Sequence, residues 1–161
     1  KPKAIILDTI NFWIEKYWDT LEKVISKVDI ISINVEEAEL ITREKDIEKA
    51  SRILHKMGPR YVIIKKGVEG AELFGDGKKY CAPAYILDKV TDPTGAGDCF
   101  IGGIAGYLSE INEVSFDSLM SAIYYGTSLA SFSLEKIGTK NLLYLSKNSI
   151  EERIKNIKER E

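Results

Sequence analysis

A chain of 161 residues, 44% hydrophobic and 30% charged, has the length of one domain or a large piece of one and enough apolar content to bury a core, which excludes a disordered or fibrous protein. With 23 basic and 25 acidic side chains the net charge is −2, so there is no electrostatic case for nucleic acid or an anionic membrane as partner. No apolar run approaches the roughly 18 residues of a membrane span, no basic start with an apolar stretch marks a secretory signal, and two cysteines, Cys81 and Cys99, make no disulfide framework, which points to a reducing, cytoplasmic setting.

The chain opens on Lys1-Pro2-Lys3 without a Met, directly ahead of an apolar pattern, which reads as a start inside a fold. Residues 4–8 are an apolar run ending in Asp8. Strands covered on both faces do not alternate, so this is expected to be a buried strand. Across residues 12–26, Trp13, Tyr17, Leu21, Val24 and Ile25 recur at helical spacing. Residues 29–33 form a second strand pattern, Asn34 follows, and residues 35–41 turn helical. Asp46 is suited to cap another helix, with Ile47, Ala50, Ile53, Leu54 and Met57 on one face and Gly58-Pro59 as its stop. Strands alternating with helices imply a parallel sheet with crossover helices.

Residues 61–65 are a third strand pattern. Glycines then punctuate two short segments, 71–74 and 78–82, which read as an antiparallel hairpin with Asp76-Gly77 at its turn. Residues 87–90 are expected to form a further short strand. A helix follows over about residues 98–108, where Gly102, Gly103 and Gly106 imply a close approach to a neighbour. Phe116, Leu119, Met120, Ile123, Thr127, Ala130 and Leu134 make a long helical face. After a loop at residues 138–141, a charged helix over residues 149–158 is expected to be capped by Ser149 with Glu152.

The chemistry centres on Asp92-Pro93-Thr94-Gly95-Ala96-Gly97-Asp98. Two glycines around a small residue leave backbone N–H groups uncovered where a helix begins, so unpaired amides and the positive dipole end meet in one loop. That favours an anion such as a phosphate. Asp98 beside it can accept a proton from an attacking hydroxyl. The plain alternative is a Gly-rich turn with Asp98 as a helix cap. No Walker pattern occurs, and Phe100 stands where a dinucleotide fingerprint needs its third glycine. Asn34 and Glu37 begin a helix after a buried strand, where parallel sheets bind ligands. Together they can hold the water shell of a Mg²⁺, or simply cap the helix. Lys66, Gly67 and Gly70 also follow a strand, and the glycines either admit a ligand or make the hairpin.

In this order and at these spacings, the three motifs resemble the C-terminal half of the ribokinase or PfkB family of carbohydrate and nucleoside kinases. The resemblance covers nearly the whole chain. Asp92 to Asp98 matches the family's Asp-Thr-x-Gly-Ala-Gly-Asp loop, with Pro93 in place of the usual Thr. Asn34 to Glu37 matches its Asn-x-x-Glu motif, and Lys66, Gly67, Gly70 and Ala71 match its Lys-Gly segment. The resemblance implies an α/β fold: a mainly parallel, ribokinase-like sheet flanked by helices, with an antiparallel edge hairpin and the N-terminal part of the fold absent. Residues 1–161 would then be the portion carrying the nucleotide and anion-hole side. It implies ATP-dependent phosphorylation of a sugar or nucleoside hydroxyl by in-line transfer.

The residue roles follow from the same resemblance. Asp98 would be the base, the amides of Gly95, Ala96 and Gly97 the anion hole, and Asn34 and Glu37 the organisers of Mg²⁺ through water. Lys66, Gly67 and Gly70 would border ATP. The loop near residues 131–138 would approach adenine, and Asp92 and Thr94 would hold K⁺ in members that use it. The family's N-terminal half supplies most contacts to the acceptor, so the chain alone is expected to be inactive, with a homo-oligomer or the missing half as partner and the acceptor unread. The rival readings are a non-catalytic nucleotide-binding fragment or half of a split kinase, and, disfavoured by Phe100, a Rossmann-type oxidoreductase. Cys99, His55, Trp13 and Trp18 are expected to be packing residues.

Overall fold

The structure, a computed structural model, describes residues 2–159. Two compact units divide it, one running up to Gly67 together with Ala71–Cys81, the other made of Val68–Gly70 and the chain from Ala82 onward.

The first unit is an α/β sheet. Its elements are β1 (Ile6–Leu7), α1 (Asn11–Lys16), α2 (Trp18–Ile25), β2 (Ile30–Asn34), α3 (Val35–Thr42), α4 (Ile47–Met57), β3 (Tyr61–Lys65), β4 (Ala71–Gly75) and β5 (Lys78–Ala82). The sheet order is β1-β2-β3-β4-β5. β1, β2 and β3 are parallel, with Ile6 opposite Ile30 and Ile30 opposite Tyr61, and β4 runs antiparallel to β3. β2 from Ile30 to Ile33 and β3 from Tyr61 to Ile64 are buried at every residue, which is why their sequences do not alternate. Ile25, Ile31, Ile33, Leu54, Val62, Ile64 and Phe74 share one core. Asp46 caps α4 as expected, its Oδ1 accepting from Lys49 N at 2.9 Å.

The hairpin turn is built as the sequence requires. Asp76 and Gly77 have φ of 51° and 71°, the positive pair of a two-residue type I′ turn. Arg60 clamps Asp76 through Nε at 2.9 Å and Nη2 at 3.1 Å, and the Tyr61 hydroxyl donates to it at 2.8 Å. The Arg60 guanidinium, then the Tyr61 hydroxyl, hold the Asp76 carboxyl below its usual range.

Three expectations are corrected. The first strand is two residues long, Ile6–Leu7, not five. The helix expected over residues 12–26 is two helices broken at Tyr17, whose φ of −135° and ψ of 36° are not helical. The inward face is Ile14, Leu21 and Ile25, while Trp13 and Tyr17 stay 48% and 51% exposed. The break, together with a ring cluster of Phe12, Trp13 and Tyr17 with centroids 5.2–5.6 Å apart, turns those aromatics outward. No strand forms at residues 87–90, because Asp88, Lys89 and Val90 are exposed and no neighbour pairs with them.

The second unit is helical: α5 (Ala96–Ile111), α6 (Phe116–Leu134) and α7 (Lys147–Lys158). α5 and α6 cross closely at glycine. A Cβ on Gly103 would lie 2.8 Å from Gly126 Cα, and one on Gly126 would lie 2.6 Å from Phe100 O. The expectation of close approach therefore holds at Gly103 but not at Gly102 or Gly106, where a Cβ would meet nothing within 4 Å. α7 starts earlier than expected. Ser146, not Ser149, is its cap, with Ser146 Oγ accepting from Ser149 N at 3.1 Å. No helix among the described residues is long and apolar enough to cross a membrane.

Candidate active site

In the helical unit, the loop from Asp92 to Asp98 is pinned at its head. Thr91 N donates to Leu134 O at 2.8 Å and Asp92 N to the same oxygen at 3.4 Å, tying the loop to the end of α6. Asp92 Oδ1 accepts from Thr94 N at 3.0 Å. That amide, then the Thr94 hydroxyl, holds the Asp92 carboxyl below its usual range, and the Gly138 amide adds to the effect. Gly95 is the residue before α5, with φ of 79°, a conformation side chains other than glycine rarely adopt. No side chain caps α5. Ala96 N donates to Pro93 O at 3.3 Å, whereas no acceptor among the described residues pairs with the N–H of Gly95, Gly97 or Asp98.

Of the three amides expected to form the anion hole, those of Gly95 and Gly97 are unpaired among the described residues, while that of Ala96 is engaged by Pro93 O. Unpaired amides at a helix start concentrate positive potential and donate hydrogen bonds to anionic oxygens. Asp98 is the third residue of α5, exposed, with no cation paired to its carboxylate among the described residues. Its Oδ2 lies 4.0 Å from where a Cβ on Gly95 would stand, so the carboxylate borders the same amides. Cys99, the next residue, is half-buried.

In the sheet unit, polar residues gather at the carboxyl ends of the parallel strands. Asn34 ends β2 opposite Lys65, which ends β3. Asn34 and Glu37 form a reciprocal capping box: Asn34 Oδ1 accepts from Glu37 N at 2.8 Å, and Glu37 Oε2 accepts from Asn34 N at 2.8 Å. This is the helix-capping alternative of the sequence reading, present in full. It leaves Glu37 Oε1 without a partner among the described residues. Burial raises the Glu37 carboxyl above its ordinary value, opposed by the Asn34 amide and the Lys65 ammonium. A hard oxygen donor beside an amide fits Mg²⁺ held through water. Among the described residues no group of three His, Cys, Asp or Glu side chains is placed to ligate a metal directly.

Lys66 is not held out toward solvent. Its Nζ lies 3.0 Å from Glu72 Oε1, and Lys79 Nζ lies 2.8 Å from Glu72 Oε2. Burial pushes the Glu72 carboxyl up, but Lys79 and Lys66 together outweigh it and hold it below its ordinary value. Gly67 has φ of 60° and open space around it. Gly70 is glycine for a structural reason, because a Cβ there would lie 1.9 Å from Ala82 O.

Sequence reasoning passed over an ion pair at this edge. Lys65 Nζ sits 3.0 and 2.9 Å from the two carboxylate oxygens of Asp8, with both side chains about four-fifths buried. Thr9, next to Asp8, buries a hydroxyl that has no partner among the described residues. The signal was available, since Asp8 and Lys65 each close an apolar run at a parallel-strand end.

Comparison with known proteins agrees with this architecture. A cytidine kinase of Thermococcus kodakarensis is 36% identical over 112 residues, covering 66% of this chain and 40% of that protein. An aminoimidazole riboside kinase of Salmonella enterica, solved with aminoimidazole riboside and an ATP analog, superposes with a TM-score of 0.79 at 21% identity, covering 94% of this chain and 52% of that one. A putative ribokinase II of E. coli, solved with ATP and Mg²⁺, superposes at 0.78 with 24% identity, covering 95% and 49%. The chain thus spans about half the length of these proteins or less. The pfkB family carbohydrate kinase model matches residues 5–144. Over that length, with the Asp92–Asp98 loop and the Asn34–Glu37 pair in place, the chain belongs to the pfkB family of carbohydrate kinases.

Proposed function

We propose that this chain is the nucleotide and anion-hole portion, in sequence the C-terminal portion, of an ATP-dependent kinase that phosphorylates a hydroxyl of a sugar or nucleoside. The observation that carries the reading is the start of α5: unpaired N–H groups at Gly95 and Gly97, with the unpaired, exposed carboxylate of Asp98 beside them. Transfer of a phosphoryl group asks little covalent chemistry of the protein; it needs charge stabilisation and a group to take the acceptor's proton. The amides supply the first. Asp98 takes the hydroxyl proton as the acceptor oxygen bonds to the γ-phosphorus and the bond to the β-phosphate oxygen breaks, releasing ADP.

Glu37 Oε1 with Asn34 would meet the water shell of a Mg²⁺, which when bound would neutralise phosphate charge. Lys66, Gly67 and Gly70 would border the nucleotide, the loop after α6 would approach its base, and Asp92 with Thr94 would hold K⁺ if a monovalent cation is used. The relatives' printed names, a cytidine kinase and ribokinases among them, take in both a nucleoside and a sugar as acceptor. Titration of the chain with ATP–Mg²⁺ by calorimetry, beside a turnover assay with ribose and cytidine, tests the reading. Binding is expected, and its absence overturns the proposal.

A second reading, a non-catalytic nucleotide-binding fragment or one half of a split kinase, is favoured by the Asn34–Glu37 capping box, which accounts for both residues without a metal. The non-catalytic fragment binds ATP and shows no turnover even when the rest of the fold is supplied, whereas half of a split kinase turns over only when it is supplied.

A further inference from the structure

We propose that Arg153 of α7 is a positioning residue for the anion loop, acting on it through the C-terminal end of α6. The inference rests on the reading of residues 92–98 as the phosphate-facing loop, and every contact it uses lies within the helical unit.

The Arg153 side chain is 14% exposed. Its Nη1 lies 2.7 Å from Glu135 Oε1 and donates to Ser131 Oγ at 3.1 Å. The guanidinium carbon sits 3.5 Å from the centroid of the Phe132 ring and 4.4 Å from that of Tyr85. Glu135 carries the contact onward. Its Oε2 accepts from Asn141 Nδ2 at 2.6 Å, and the same amide donates to Phe132 O at 2.9 Å.

Glu135 directly follows Leu134, whose carbonyl accepts from Thr91 and Asp92. The last carbonyls of a helix have no partner inside it, so where they point depends on what fixes the final turn. Here Ser131, Phe132 and Glu135, the residues of that turn, are all held by one guanidinium. Displacing the turn moves Leu134 O, and with it the head of the loop that leads to Gly95, Gly97 and Asp98. Arginine suits the task because its flat, forked cation stacks on rings while bonding at its edge, which a lysine ammonium does not reproduce.

The test uses the chain itself as wild type, R153M, R153K and E135Q. Amide hydrogen exchange is read residue by residue at Thr91 and Asp92 and at Ile104 and Ile123 in the α5–α6 core, and ATP–Mg²⁺ affinity is read by calorimetry. In R153M, exchange at Thr91 and Asp92 is expected to speed up about tenfold more than at Ile104 and Ile123, with nucleotide affinity about tenfold weaker. R153K recovers part of both effects, and E135Q shifts both in the same direction as R153M. If exchange at Thr91 and Asp92 changes only by the factor seen at Ile104 and Ile123, Arg153 merely contributes to overall stability and the proposal is overturned. Should R153M fail to fold, the same comparison between wild type and R153K decides it. If the wild-type chain binds no ATP, the kinase reading falls, and the exchange data still judge the coupling alone.

Discussion

Asp98 stands third in α5, next to amides that can hold a phosphoryl group without any help from its charge. That separation of tasks predicts a split in the effects of one substitution. Asp98→Asn keeps shape but cannot accept a proton. In the complete enzyme turnover is expected to fall about 100-fold or more while ATP affinity changes little. Near-normal turnover in that variant would reduce Asp98 to a helix-terminus acid. Glu37 poses the opposite problem, because its cap is visible and its metal role is proposed. Glutamine can still accept from Asn34 N, so Glu37→Gln should keep stability within about 1 kcal/mol. The Mg²⁺ concentration needed for half-maximal ATP binding should nevertheless rise, since the partnerless oxygen loses its charge. A large drop in melting temperature with unchanged Mg²⁺ dependence would make the capping box its whole purpose.

At the scale of elements, the three parallel strands are joined at their carboxyl ends by the Asp8–Lys65 pair, which bridges from β1 to β3 past β2. Removing one partner of such a mostly buried pair strands the other charge. Lys65→Met and Asp8→Asn are each expected to cost about 3 kcal/mol in urea unfolding. The double variant should cost clearly less than the sum, and strict additivity would show the pair to be uncoupled. The hairpin offers a pH test. The Asp76 carboxyl is held below its ordinary 3.8 by Arg60 first and Tyr61 second. A depressed value in the folded state adds stability above the unfolded value and loses it as pH falls through the folded one. Asp76→Asn preserves a turn that Asn-Gly favours, so it isolates the charge. Its stability deficit at pH 7 should shrink once the pH falls below about 3.8 and then vanish; a deficit constant down to pH 2 would contradict it. β3, the hairpin and the Asp46 cap were legible in the sequence because local chemistry decides them. The Asp8–Lys65 pair was not, because 57 residues separate its partners and only the strand order brings them together. Trp13 and Tyr17 were misread because a helical repeat records spacing, not which face meets the sheet, and the break at Tyr17 rotates that face.

For the molecule as a whole, the sheet's β1 end carries apolar side chains in water. Ile5, Ile10, Phe12, Trp13 and Tyr17 are all exposed, and the last three form a cluster of touching rings on and beside α1. β1, two residues long, is an edge strand with one side unpaired among the described residues. Unpaired edges and contiguous apolar surface both drive association. This chain is therefore expected to self-associate with rising concentration in sedimentation velocity. Replacing Phe12 and Trp13 together by Ser should suppress that association while leaving the melting temperature nearly unchanged, because Ile14, Leu21 and Ile25, not these rings, face the core. The same variant should bind ATP–Mg²⁺ as wild type does, since the proposed phosphate amides belong to the helical unit and the Asn34–Glu37 box is closed by its own hydrogen bonds. A monomer at every concentration would show that the exposed rings are ordinary surface. Loss of ATP binding together with loss of association would instead tie nucleotide binding to the assembled form.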